Sequence, residues 1–238
     1  LLPFSVFRLK GEIMENFEKA IKTDLLDLHE SFQVRCPVMS LIVGMEYEAG
    51  FREMVRRIGV DRTRSQRFGM GFDVRANATS VELSLLAAHV SGRFEDWVYE
   101  LFREPGTLSR PGNRHLFSLL CQVRSLLQVR LANLLARSFG FDSSTRSQET
   151  PFLFCGCYFA AVGDTNDRQA FVKGAIDKLV TEQEHVEWTP QTLRIDRRNT
   201  WIARSVFFVN WILFVTLIAM ILDHRLGWSG RLFHGSAS

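Results

Sequence analysis

RCPVMSLIVGMEYEAGF, residues 35–51, places five apolar side chains, Val38, Met39, Leu41, Ile42 and Val43, between a helix-breaking Arg-Cys-Pro and two glycines, Gly44 and Gly50. A continuous apolar run, unlike an alternating one, suits a strand covered on both faces, as in parallel sheets. Ahead of it, Ile13, Phe17, Ile21, Leu25, Leu28 and Phe32 recur at helical spacing with charges between them, and residues 1–7 read as a short apolar strand. Strand, helix and strand in that order predict a parallel crossover, with the helix laying one face on the sheet. The loop opened by Gly44 and Gly50 then falls at the carboxyl end of a strand, where open α/β sheets bind ligands.

Downstream the pattern turns helical. Val81, Leu85, Ala88, Phe94, Trp97, Val98, Leu101 and Phe102 predict a long amphipathic helix stopped by Glu104, Pro105 and Gly106. After the loop TLSRPGN, the run from Leu116 to Leu135 carries a broad leucine stripe with Gly140 as its C-cap. FDSSTRSQET is a polar loop, and PFLFCGCYFAAV, residues 151–162, reads as a strand returning to the sheet. Phe171, Val172, Ala175, Ile176, Leu179 and Val180 open one more amphipathic helix. Its expected start is near Arg168, capped by Asp167, and it is expected to reach Trp188 before Pro190. The fold class is therefore α/β followed by mainly α, without internal repeats.

SVFFVNWILFVTLIAMIL, Ser205 to Leu222, is free of charge, and as a helix it is about 27 Å long, close to the hydrocarbon thickness of a bilayer. Its Val, Ile, Leu and Phe side chains outweigh Asn210 and Thr216, so it reads as a single transmembrane helix. Arg194, Arg197, Arg198 and Arg204 precede it, whereas Arg225 and Arg231 follow it beside Asp223. The positive-inside rule puts the large N-terminal part in the cytoplasm. Trp201 and Trp228 flank the span at interfacial depth, and residues 223–238 form a short tail on the far side.

The 238 residues are 46% hydrophobic and 23% charged, which excludes disorder as the main state. A net charge of +3 with dispersed arginines gives no nucleic-acid stripe. Cys36, Cys121, Cys155 and Cys157 hold neither zinc spacing nor a disulfide framework and read as small buried thiols in a reducing compartment. Lys10, Lys19, Lys22, Lys173 and Lys178 all lie outside any phosphate-loop context. FGMGF, residues 68–72, lacks dinucleotide-binding spacing and reads as a turn. His29, His89, His115, His185, His224 and His234 stand apart from any nucleophile motif. The carboxylate pairs Glu46 with Glu48 and Asp164 with Asp167 fall in loops, where turn formation or capping competes with cation binding or acid/base work. No residue is assigned a catalytic, cofactor-binding or metal-binding role, and no cofactor is expected.

The order of these landmarks resembles the IcmF/TssM family of type VI secretion systems. The resemblance rests on RCPVMSLIVGMEYEAGF followed by REMVRRIGVDRTRSQRFGMGFDV. RPGNRHLFSLLCQVRSLLQVRLANLL, ETPFLFCGCYFAAVGDTNDRQAFV, FVKGAIDKLVTEQEHVEWTP and RIDRRN come next, and then the apolar span, over roughly residues 1–222. It implies a partial P-loop-like parallel sheet, the later part of a GTPase-like domain, over residues 1–75. A helical extension with a returning strand near 151–162 fills residues 76–200, and a transmembrane helix occupies 203–222. The family's guanine-recognition motif, Thr/Asn-Lys-x-Asp, aligns with Val43, Gly44, Met45 and Glu46, so the carboxylate persists and the lysine does not. The upstream phosphate loop and two earlier membrane helices of the family lie outside this sequence, which reads as a fragment or a truncated gene. The resemblance implies a non-enzymatic structural component of the bacterial inner membrane, oligomeric in its assembly. Its partners would be membrane-complex and baseplate proteins and the lipid bilayer, with no nucleic acid. The alternative is a membrane-bound NTPase whose phosphate loop lies upstream, with Glu46 reading the base.

Overall fold

The computed structural model describes residues 1–9, 11–140, 152–165 and 168–226. The strands are β1 (Leu2–Pro3), β2 (Val34–Arg35), β3 (Pro37–Val43), β4 (Gly69–Gly71), β5 (Leu153–Phe159), β6 (Ala161–Val162), β7 (Gln169–Ala170) and β8 (Glu187–Trp188). The α-helices are α1 (Gly11–Phe32), α2 (Ala49–Ile58), α3 (Val60–Ser65), α4 (Ser80–Arg103), α5 (Asn113–Gln122), α6 (Gln128–Phe139), α7 (Val172–Glu182) and α8 (Pro190–Leu226).

The main sheet has the order β1-β3-β5-β4, with β1, β3 and β5 parallel and β4 antiparallel at one edge. Every residue of β5 is buried, as its unbroken apolar sequence requires of a central strand. Both faces of β3 are covered. Ile42 faces the main core with Phe159, Phe68 and Phe94, while Leu41 packs with Ala160 and Ala175 of α7 on the other side. The register of β3 against β5 steps between Val38 and Met39, so Phe154 and Gly156 are consecutive partners and Cys155 bulges out. The bulge needs glycine: Gly156 has φ +138°, and a Cβ there would lie 2.6 Å from the Met70 carbonyl oxygen.

Two compact units divide the chain, Leu1–Glu187 and Trp188 onward. Within the first, the sheet draws β1, β3 and β4 from before residue 75 and β5 from after it, and α4, α5 and α6 complete the core. The second contains α8, whose stretch Pro190–Leu222 is long and apolar enough to cross a membrane and has none of its apolar window buried. A mixed, largely parallel sheet followed by helices and one long apolar C-terminal helix is the expected class.

Several local expectations change. Residues 1–7 are strand only at Leu2–Pro3, because Phe4–Arg8 coil into a 3-10 turn that buries Phe4 and Phe7. Helix α1 packs chiefly on α6, burying Met14 and leaving Ile13, Leu28 and Phe32 exposed. The early stripe of α4 is Leu83, Leu86, Ala87 and Val90 instead of Val81, Leu85 and Ala88, since a capping box between Thr79 and Glu82 sets where the helix starts and which face turns inward. The helix from Leu116 is interrupted by a π turn at Val123–Leu127. Helix α7 begins at Val172, since Gln169–Ala170 pair with β6, and it ends at Glu182, short of Trp188. FDSSTRSQET, Asp167, Trp228 and most of the tail lie outside the described residues.

Candidate functional site

At the carboxyl end of β3 the chain turns through Gly44, whose φ of +84° suits glycine, into a 3-10 turn that buries Met45 and Glu46. The Glu46 side chain points back to the sheet, where its Oε2 accepts a hydrogen bond at 3.3 Å from the Val162 backbone N–H. The carboxylate therefore ties the end of β3 to β6. Its neighbour Glu48 turns elsewhere and pairs with Arg8 at 2.8 Å, so the two carboxylates do not share a site. Gly50, expected in the loop, is buried in the first turn of α2. There a Cβ would lie 2.4 Å from the His115 carbonyl oxygen and 2.7 Å from Leu119 Cβ. Its role is close packing of α2 on α5.

FGMGF is neither a turn nor a cofactor loop: Gly69–Gly71 are the edge strand β4. A Cβ on Gly69 would sit 2.3 Å from the Cys157 carbonyl oxygen, so close approach to β5 explains this glycine.

One polar cluster has no counterpart among the residues singled out from sequence. Arg57 is buried on α2, and its Nε donates to Glu53 Oε1 at 2.6 Å while Nη2 donates to Asn113 Oδ1 at 2.8 Å. Asn113 in turn donates to the Thr107 carbonyl at 2.8 Å. Arg56 also donates to Glu53, through two hydrogen bonds of 2.8 and 2.7 Å, and these hold the Glu53 carboxyl below its usual range against the opposing effect of burial. The cluster clamps the 104–113 connection to α2. Its sequence signal was Glu53 with Arg56 and Arg57 at i, i+3 and i+4.

The histidines stay apart. His29 approaches the Val34 carbonyl at 3.4 Å, His89 and His224 are exposed, and His234 is outside the described residues. His185 lies beside Glu182, Nδ1 to Oε2 3.2 Å, at the wall of a cavity of about 380 Å³ shared with Arg35, Arg75 and Asn77. Asp164 is exposed. Of the lysines, Lys178 pairs with Glu182, while Lys19, Lys22 and Lys173 are exposed. All four cysteines are free, but only Cys155 and Cys157 are buried, with thiols raised by burial to about 11 and about 12. Cys36 and Cys121 are exposed, contrary to the expectation of four buried thiols: Cys36 stands between β2 and β3, and Cys121 falls off the buried stripe of α5. Among the described residues no group of three His, Cys, Asp or Glu side chains could hold a metal ion.

The described residues form an α/β unit with a helical core and one long apolar helix. No curated protein and no solved structure matches the chain. The IcmF-related N-terminal domain matches it over residues 8–214, a stretch that takes in β3, β4 and β5 of the sheet, the helical core and the first part of the apolar span. The chain belongs to the IcmF-related family.

Proposed function

We propose that this chain is a non-enzymatic structural component of a type VI-like secretion apparatus. It is anchored in the bacterial inner membrane by residues 205–222, and the unit Leu1–Glu187 docks membrane-complex and baseplate subunits from the cytoplasm. One observation carries the reading: a family domain matching residues 8–214 runs directly into a helix whose apolar stretch is unburied. An 18-residue apolar surface left in water would cost several kcal/mol that lipid removes. The arginines at 194, 197, 198 and 204 favour the cytoplasmic side for the residues before the span. A GTPase-like ancestry agrees with the parallel sheet and with a carboxylate at the guanine-motif position, but here that carboxylate bonds Val162, which supports a retained fold in a docking role.

The test is affinity isolation of the tagged full chain from detergent-solubilised inner membranes, with proteolysis of right-side-out and inverted vesicles alongside. Other membrane-complex subunits are expected to co-isolate, and the N-terminal unit is expected to be cleaved only in inverted vesicles. Isolation of the chain without those subunits, or cleavage from the outer side, contradicts it.

A further inference from the structure

The edge strand β4 is short and glycine-based, and its outer side opens onto a cavity of about 430 Å³. In its ladder with β5, the Phe68 carbonyl accepts from Phe159 N–H at 2.7 Å and the Phe72 N–H donates to the Cys155 carbonyl at 3.1 Å. Antiparallel alternation then turns the peptide groups of Gly69 and Gly71 away from β5, and both glycines line the cavity. With no side chains on these residues, another backbone can approach closely.

The walls carry positive charge. Arg67 precedes the strand, Arg93 comes from α4 and Lys178 from α7. Lys178 is paired with Glu182, but Arg67 and Arg93 are exposed and have no ion pair among the described residues. Arg62 adds a further guanidinium 5.2 Å from the ring centroid of Trp97, which lines the same cavity. Partly exposed Trp97 gives apolar wall between the charges, and Tyr158, almost fully buried, reaches the cavity with its hydroxyl close to Gly71.

Outward peptide groups, flanking cations and apolar wall together match one kind of occupant. We propose that the outer edge of β4 docks an extended acidic segment of a partner protein, added as one more strand, with its carboxylates on Arg67 and Arg93 and an apolar side chain on Trp97. Main-chain pairing gives the affinity and the cations select acidic sequences. The proposal rests on the docking reading above and names one surface for it.

A fluorescein-labelled Glu-Val-Glu-Val-Glu-Val peptide titrated onto the full chain in non-ionic detergent tests this by anisotropy. The expected result is saturable binding, weakened about tenfold or more both by Arg67→Glu with Arg93→Glu and by N-methylation of alternate peptide bonds in the probe. The methylated probe needs no protein variant, so it decides even if the charge reversals unfold the chain. No binding, equal binding of the methylated peptide, equal competition by tripolyphosphate, or an unchanged affinity of the double variant overturns the proposal. So does self-association of the chain that the double variant abolishes, since the occupant would then be a second copy. Because the assay uses isolated chain, its failure leaves subunit co-isolation intact, and failure of co-isolation leaves the peptide result standing.

Discussion

Gly50 and Glu46 sit four residues apart after the end of β3, and each is explained by what it touches. A methyl group at 50 meets the His115 carbonyl and Leu119 at distances no packed core accepts, so Gly50→Ala forces α2 off α5. Thermal or denaturant unfolding followed in the unit Leu1–Glu187 is expected to show a loss of about 1–3 kcal/mol. Glu46→Ala leaves the Val162 N–H without its acceptor and is expected to cost about 1–3 kcal/mol, with Glu46→Gln recovering part of the loss because an amide oxygen can still accept. Glu53 has a pH signature. Its carboxyl is held below 4.5, chiefly by the Arg56 hydrogen bonds, so the folded state favours the ionised form. That stability is fully present above 4.5 and is lost as pH falls through the lower folded-state value; Glu53→Gln flattens the acid limb of a stability-versus-pH curve. Thiol titration separates the cysteines: Cys36 and Cys121 react with a maleimide in the native state near neutral pH, and Cys155 and Cys157 react only on unfolding. Equal reactivity of all four contradicts the burial described. At this scale the sequence was partly legible. Gly44 and Glu46 were found because they follow an apolar strand, but the partner of Glu46, Val162, lies 116 positions on and no local pattern announces it.

Among the elements, the central strand and the leucine-rich helices were readable because their patterns are long. LFCGCYF is buried throughout, and Leu116, Leu119, Leu120, Leu127, Leu131, Leu134 and Leu135 are buried as the stripe requires. The π turn between α5 and α6 was not expected from the sequence, although the spacing accounts for it. Leu119, Val123, Leu127, Leu131 and Leu135 recur every four residues, and each step overshoots an α-helical turn by about 40°. A wider turn at Val123–Leu127 takes up part of that drift and keeps the row facing the core. Deleting Ser125, an exposed residue inside the turn, is therefore expected to regularise the helix and leave the unit Leu1–Glu187 folded, whereas deleting Ala132 within α6 rotates Leu134, Leu135 and Phe139 off the core and unfolds it. Limited proteolysis or amide exchange across residues 113–139 distinguishes the two. Short elements were less legible. β4 has only three residues, two of them glycine, and glycine disfavours strands unless another backbone comes close, as β5 does here. The start of α7 was displaced for a similar reason: Phe171, at φ +63°, caps the helix after Gln169–Ala170 have been captured by β6, and that pairing is tertiary.

At the scale of the whole molecule, two signals of different kind agree. Apolar periodicity and strand order give an α/β unit with a helical core, and one long uncharged stretch gives a helix that nothing in the described structure covers. The span was the easiest feature to read because membrane insertion depends on summed composition and needs no partner residue. The docking surface proposed for the first unit was not legible, since such a surface is made of residues that converge only in the fold, as Arg67, Arg93 and Lys178 do at β4. The proposed anchor requires residues 205–222 to lie in lipid. Alkaline carbonate extraction of membranes holding the full chain measures this directly. The chain is expected to stay in the membrane pellet, and to shift to the supernatant when Leu213 and Val215 are both replaced by arginine; wild-type chain released by carbonate alone contradicts the anchor and the function built on it.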